Sequence, residues 1–459
     1  MELLYFVYGL LWGDLVTIPL PGGGSLGLSL LVLILVPAGV YFTVRTRFLP
    51  IRLFKDMIQV TLKKSNNAKG SISGFQSLIV STATRVGMGN LAGVVAAISA
   101  GGAGAVFWMW ITALLGASTS FAESVLAQKY REPDPLYGGY RGGPAQYIHA
   151  FVSRKKPGSR KSIIAILFAL SGLLCWGGIS QVIGNSVAES MENAFSIPPT
   201  VTAAILVAIS AIIVLRKNTT VKVLDVVVPI MAGCFFAITV IIIIKNAALL
   251  PTVLQNIFAE AFGLRQAVAG GFGAVVMNGV KRGLFSNEAG SGSAPCAAAA
   301  ADGSSPAEVG LLQAFGVIID TIIICTCSAF IMLLAPSDLI EGLDGMNLLQ
   351  TAMDYHMGSF GVIYIAVTLL LFCFSTFLGI LYYARSNVAY VFGDNWTSQT
   401  VYKIFCLIML GIGCVATYTF VWDLSDVGIA LMTIFNMIAL IPMAGESMAE
   451  LKKYEQTKK

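Results

Sequence analysis

Apolar stretches of about 20 residues recur along this chain, separated by short polar segments. A helix rising about 1.5 Å per residue needs roughly 20 apolar residues to cross a bilayer. Eleven stretches approach that length, at about 26–45, 72–99, 103–129, 162–190, 198–215, 221–244, 268–300, 307–334, 359–384, 401–420 and 424–446. The third to sixth are clean. The second and seventh are interrupted near their middles, by T-R-V-G-M-G-N-L-A-G (84–93) and N-G-V-K-R-G-L-F-S-N-E-A-G-S-G-S-A-P (278–295). Gly and Asn tolerate backbone shapes that break a helix, and a fixed charge in lipid is costly. The segment Met1 to Leu20 is apolar but holds Glu2 and Asp14 and no base. It lacks the positive start of a signal peptide and reads as an external re-entrant or interfacial piece.

Composition agrees with the pattern. Of 459 residues, 56% are hydrophobic and 12% charged, against about 25% charged in soluble domains. The net charge of +5 invites a nucleic-acid reading, but the bases are not spread evenly. Segments 45–72, 129–162, 216–222, 385–403 and 452–459 hold 24 of the 29 Lys and Arg. That asymmetry is the positive-inside pattern of a multispanning protein, with the N-terminus outside, the C-terminus cytoplasmic and an inner-membrane location. R-K-K-P-G-S-R-K (154–161) is then a cytoplasmic loop, with lipid headgroups as the lesser option. The eight Cys are scattered, Cys325 and Cys327 having no second pair nearby, and His149 and His356 cannot build a metal centre alone. No Walker-A loop is present, so ATP drive within this chain is not expected.

The chain also repeats itself. A shift of 197 residues lays Arg85 on Arg282, Asn90 on Asn287 and Glu123 on Asp320. The topology runs the two interrupted spans in opposite directions, so the repeats are inverted, five spans each. The expected organisation is an N-terminal region (1–71) with one extra helix, a first repeat (72–244), an external connection (245–267), a second repeat (268–446) and a cytoplasmic tail (447–459). Inverted repeats with corresponding interrupted spans point to a secondary transporter whose site lies at mid-membrane. Free amides at one break suit a carboxylate and free carbonyls at another suit a cation. Close helix packing is the plainer role of the glycines, but it leaves the Asn and Arg unexplained.

G-M-G-N-L-A-G-V (87–94), G-G-A-G-A-V-F-W-M-W (101–110) and G-V-K-R-G-L-F-S-N-E-A-G-S-G-S-A-P (279–295) strongly resemble the alanine/glycine:cation symporter family. V-G-M-G-N also resembles the first core break of the neurotransmitter sodium symporters. The resemblance implies an all-α membrane protein of about 11 transmembrane helices: a five-plus-five inverted-repeat core with two broken helices, and one extra helix. It implies sodium-coupled uptake of small neutral amino acids, alanine and glycine, with no organic cofactor and no enzymatic step. The partners it implies are the amino acid and the lipid bilayer, without nucleic acid or an obligate protein partner.

Carried over by residue, the resemblance places the amides of Gly87, Met88 and Gly89 on the substrate carboxylate, with Asn90 orienting the break or meeting an ion. Phe285, Ser286 and Asn287 would face the amino group and side chain, though an aromatic such as Phe285 more often simply packs. Ser375 and Thr376, with the carbonyls of Ala83 and Val86, would bind sodium, a hard cation that takes oxygen ligands. Ser and Thr in membrane helices otherwise bond back to their own helix. Gln181 would face the substrate, although family members often carry that Gln at the position of Ile183; Asn185 reads equally as an interhelical hydrogen bond. Ile380 stands where an aromatic is common, which leaves pocket size, and so the amino acid, open. Arg385 reads as a topology mark, and G-G-Y-R-G-G-P (138–144) as a turn before a short helix.

Arg85, Lys281, Arg282, Glu123, Glu288 and Asp320 are the charges in or near spans. A lone buried charge costs several kcal/mol, so Arg85 and Arg282 are expected to pair with Asp320, Glu123 or Glu288. The rival reading is a proton-coupled exchanger of the same architecture, titrating at Glu288 or Asp320.

Overall fold

The computed structural model describes residues 2–19, 25–62, 75–76, 78–79, 82, 87–155, 161–216, 224–264, 271–301 and 305–458. The elements used below are helix α1 (Glu2–Trp12), a hairpin of β1 (Val16–Pro19) and β2 (Ser25–Leu28), and helices α2 (Leu30–Arg45), α3 (Gly89–Gly101), α4 (Gly104–Lys129), α5 (Pro144–Lys155) and α6 (Ile163–Phe195). They continue as α7 (Pro199–Val214), α8 (Leu224–Lys245), α9 (Leu250–Ala261), α10 (Gly271–Asn287), α11 (Ala294–Ala300), α12 (Pro306–Leu333), α13 (Gly345–Met357), α14 (Ser359–Phe392), α15 (Trp396–Val415), α16 (Tyr418–Leu440) and α17 (Ala444–Thr457). Seven described helices are long and apolar enough to cross a membrane. Among the described residues, the shorter helices α2, α3 and α7, with α10 and α11, lie in the remaining expected spans.

Local sequence sets the ends. Before α12, the Ser305 hydroxyl accepts from the Glu308 amide at 3.2 Å while the Glu308 carboxylate accepts from the Ser305 amide at 3.3 Å, and Pro306 follows. That reciprocal cap satisfies two amides that a helix start leaves unpaired. Asn395 caps α15 by accepting from the Ser398 amide at 2.9 Å. Several helices outrun their apolar stretches. α14 continues to Phe392, carrying Arg385 inside it, and α16 starts at Tyr418 and stops at Leu440. Helix ends at a membrane surface are polar, so hydropathy alone misplaces them.

The helices fall into two packed groups. α6 is the axis of one, with α14, α15 and α16 against it; α4 is the axis of the other, with α10, α12, α11 and α2. The G-G-P turn leads into α5, as the sequence suggests. Its glycines are needed for contact: a Cβ on Gly142 or Gly143 would press on Ala299 or Cys296 of α11 at 2.9 or 2.8 Å. The first residues form α1, which lies against α16 and α2, followed by the hairpin, which lies against α10. The first spanning helix therefore begins at Leu30, not at 26.

Candidate functional site

The first interruption is a turn at Gly87 running into a π-helical stretch, Gly89–Gly93, that continues as α3. Asn90 closes the turn on itself: its side-chain oxygen accepts from the Gly87 amide at 3.0 Å. The Gly87 amide is thus already engaged, which corrects the expectation that all three amides, Gly87 to Gly89, are available to a carboxylate. The second interruption lies just beyond Asn287. Of its six residues, 288–293, three are left-handed: Glu288 (φ 55°), Gly290 (φ 84°) and Gly292 (φ 90°). Left-handed geometry in a non-Gly residue costs of order 1 kcal/mol or more, so Glu288 is held there by its surroundings. The Asn287 side-chain oxygen accepts from the Ala289 amide at 3.0 Å, and the Ser291 hydroxyl donates to the Glu288 carbonyl at 2.6 Å.

The breaks are braced crosswise. Asn90 Nδ2 donates to the Asp320 carboxylate at 2.7 Å and to its carbonyl at 3.0 Å. Asp320 sits in a second π-helical stretch, Ile318–Cys325 within α12. It also accepts from the hydroxyls of Ser286 (2.9 Å) and Thr321 (2.8 Å). In the mirror position, the Glu123 carboxylate accepts from the Gly290 amide at 3.1 Å and from Asn436 Nδ2 at 2.9 Å. Asn436 also donates to the Gly290 carbonyl at 3.0 Å and accepts from the Tyr147 hydroxyl. The acid of each repeat therefore secures the break of the other. Glu123, Asp320, Asn90 and Asn436 all have zero exposure, where charge-assisted hydrogen bonds are strong.

Between the breaks, Gly87 lies directly against Thr376: a methyl added there would overlap the Thr376 hydroxyl and stand 3.2 Å from Thr376 Cβ and the Phe372 carbonyl. A methyl on Gly89 would meet Ser286 Cα at 3.2 Å, and one on Gly93 would meet the Phe285 ring at 4.0 Å. Gly87, Gly89, Asn90, Phe285, Ser286 and Thr376 are thus brought together from α3, α10 and α14, and Ser375 and Met88 are buried beside them in sequence. Ser375 and Thr376 both donate back to the Phe372 carbonyl, at 2.8 and 2.9 Å. That bond uses the hydroxyl protons and leaves oxygen lone pairs for a cation, so back-bonding and ion binding are compatible. Ala83, Val86 and Arg85 lie outside the described residues.

Other expected residues are placed elsewhere. Gln181 turns to α15, with its amide nitrogen 3.6 Å from the Met409 sulfur and its backbone against Gly413. Asn185 donates to the Ala416 carbonyl at 2.9 Å, an interhelical bond. Asn287 borders a cleft with Leu35, Gly39, Thr112 and Gly116, on the α2 side of α10. Ile380 is fully buried in the core. Arg385 is more than a topology mark: it pairs with Asp134 at 2.9 Å and lies 3.4 Å from the Tyr137 ring, joining α14 to the segment before α5.

The expected partners of Arg282 are wrong. Arg282 forms two parallel bonds with Asp426 of α16, at 3.2 and 3.0 Å, and Lys281 reaches the same carboxylate at 2.6 Å. Lys281 also contacts the Tyr8 hydroxyl, and the Trp12 indole donates to the Asp426 carbonyl at 3.1 Å, so α1 closes over this cluster. The Arg282 guanidinium lies 4.2 Å from the Trp422 ring, one turn before Asp426. The signal was in the sequence: Trp422 and Asp426 stand four apart, on one helix face, and Asp426 is an acid inside an apolar stretch.

The model of the sodium:alanine symporter family matches residues 23–459. The chain is 39% identical over 433 residues to the probable sodium/glutamine symporter GlnT of Bacillus subtilis, covering 94% of this chain and 89% of that protein. It is 32% identical to the sodium/alanine symporter AgcS of Methanococcus maripaludis, covering 94% and 95%. Among solved structures, MhsT in complex with L-phenylalanine superposes with a TM-score of 0.55 at 12% identity, over 83% of this chain and 90% of that one. A manganese transporter of Eremococcus coleocola gives 0.52 at 14% identity, over 87% and 80%. At these identities the two structures establish the shared fold alone.

Proposed function

This chain belongs to the sodium:alanine symporter family, a membrane transport protein and not an enzyme, and on that premise we propose that it carries small neutral amino acids, alanine and glycine, into the cell with sodium. The observation that carries this reading is the junction of Gly87 with Thr376 and of Gly89 with Ser286, where both breaks and α14 meet. The amides of Met88 and Gly89 take the substrate carboxylate. Ser286 and Phe285 face the rest of the molecule. The lone pairs of Ser375 and Thr376, with the carbonyls of Ala83 and Val86, take sodium.

Sodium at that junction ties the first broken helix to α14. Ordering the break raises amino-acid affinity, and by reciprocity the amino acid raises sodium affinity. Access then alternates between the two sides of the fixed site, with the N-terminus outside and the C-terminus in the cytoplasm of an inner membrane. At about −100 mV each positive charge gains roughly 2.3 kcal/mol on entry, enough for about 50-fold accumulation. Uptake of labelled alanine by proteoliposomes, under an inward sodium gradient against inward potassium at matched pH and potential, tests the reading. Sodium-dependent accumulation supports it. Accumulation that ignores sodium and follows a proton gradient replaces it with proton coupling at a buried carboxylate, Asp320 or Glu288.

A further inference from the structure

Phe285 brings an aromatic ring to the junction of the two breaks, and a second ring stands against it. Trp422 of α16 lies with its ring centre 4.8 Å from that of Phe285, the planes tilted by 56°. It is 2% exposed. Arg282, whose guanidinium is locked to Asp426 by two hydrogen bonds, lies 4.2 Å from the Trp422 ring centre and 5.9 Å from that of Phe285, beside both rings. Lys281 and the Trp12 indole fix Asp426 in turn. Trp422 and Phe285 thus share the guanidinium of a buried ion pair, and moving the Trp422 ring away would give up its contacts with both Phe285 and Arg282.

Two further features set Trp422 apart from ordinary packing. Its indole nitrogen is buried and has no hydrogen-bond partner among the described residues. Phe285, on which it leans, reaches Gly93 beside the first break. The position of Trp422 therefore decides how far the Phe285 ring can retreat from the substrate.

We propose that Trp422, packed on Phe285 beside the Arg282–Asp426 pair, limits the side-chain size of the amino acid that the site accepts. The inference rests on the transport reading above. A site walled by a fixed Phe285 takes alanine, glycine or serine. One in which that ring can retreat takes glutamine, methionine or leucine. Trp422 acts through Phe285 and is a positioning residue for selectivity.

The test is competition for labelled-alanine uptake in proteoliposomes by glycine, serine, glutamine, methionine and leucine, with wild type, Trp422→Ala and Trp422→Phe. One methylene in an apolar pocket is worth roughly 10–200-fold. Trp422→Ala should therefore improve half-inhibition by the larger competitors relative to serine by about 10-fold or more, and Trp422→Phe should return most of the way to wild type. Trp422→Leu, smaller than Trp and apolar, supplies the same ratio if the alanine variant does not fold. Ratios that stay at wild-type values while uptake of all substrates falls together overturn the inference and make Trp422 purely structural. A wild type that accumulates no neutral amino acid overturns the transport reading, and this inference with it. A transporting wild type with unshifted variants overturns this inference alone.

Discussion

Replacing Gly87 by Ala adds a methyl where α14 leaves no room for one. The methyl would overlap the Thr376 hydroxyl, far inside the 3.0 Å that real Cβ atoms keep, with Thr376 Cβ and the Phe372 carbonyl already at 3.2 Å. Rotating the hydroxyl away breaks its 2.9 Å bond to Phe372, a loss of about 0.5–1.5 kcal/mol, and leaves the other two contacts in place. Pushing the break off α14 costs about 1–3 kcal/mol, as overpacking does. Either response separates the groups that hold sodium in the proposed site. If that cost falls on the sodium-bound state, half-saturating sodium rises by about 5–150-fold. The assay is initial alanine uptake in proteoliposomes across a sodium titration, normalised to reconstituted protein, with thermal unfolding in detergent as the folding control. Thr376→Ala should also raise half-saturating sodium, without the packing defect, and Thr376→Ser should stay close to wild type. A folded Gly87→Ala protein with the wild-type sodium curve refutes the reasoning, because the tightest contact between break and hydroxyl would then be irrelevant to the ion.

Other outcomes follow from the buried charges. Asp426→Asn leaves Arg282 and Lys281 without their anion, so thermal stability in detergent should fall by about 3–5 kcal/mol; a variant as stable as wild type would show that the cluster is hydrated. Glu123→Gln keeps an acceptor for the Gly290 amide but removes its charge, which should cost about 1–2 kcal/mol; an unchanged melting curve would mean that Asn436 alone holds the second break. At one end of the molecule, Glu446 binds Lys129 (2.6 Å), Tyr130 (2.8 Å) and Arg154 (2.7 Å). Burial raises its pKa, but those three donors outweigh it and hold the carboxyl below its usual 4.5. Its stabilisation is therefore complete above about pH 4.5 and is lost as pH falls through the lower folded value. The gap in melting temperature between wild type and Glu446→Gln should be flat from pH 8 to 5 and close in more acid buffer; a gap already closing at pH 7 would contradict the assignment.

The spans and breaks were legible because each follows from a local rule: apolar length, helix-weakening residues, and a repeat in rare polar types. The meeting of Gly87 with Thr376 and of Gly89 with Ser286 was legible only through family resemblance, since spacing says that a helix breaks and not what it breaks against. Side-chain direction was the part that failed. Arg282 had three candidate acids by symmetry and chose a fourth, because a helix residue faces one neighbour out of several and only tertiary packing selects it. Gln181 illustrates the same point, with its amide nitrogen set toward Met409 of α15. An apolar stretch that starts at 424 leaves Trp422 outside it and Asp426 inside, so hydropathy splits the i, i+4 pair at its boundary.

The crosswise bracing also fixes an order of events during synthesis. Asn90 finds its partner 230 residues later, at Asp320. At about 5–20 residues per second the ribosome needs roughly 10–50 s to supply it. Through that interval the first break is in place with its amide side chain still lacking Asp320. Nor can the second half close alone, since Gly290 needs Glu123 from the first. The two halves therefore become one cooperative unit only once both are inserted. A chain stopped between them would leave the Asn90 amide nitrogen without Asp320, so an unfinished carrier differs from a finished one at its first break.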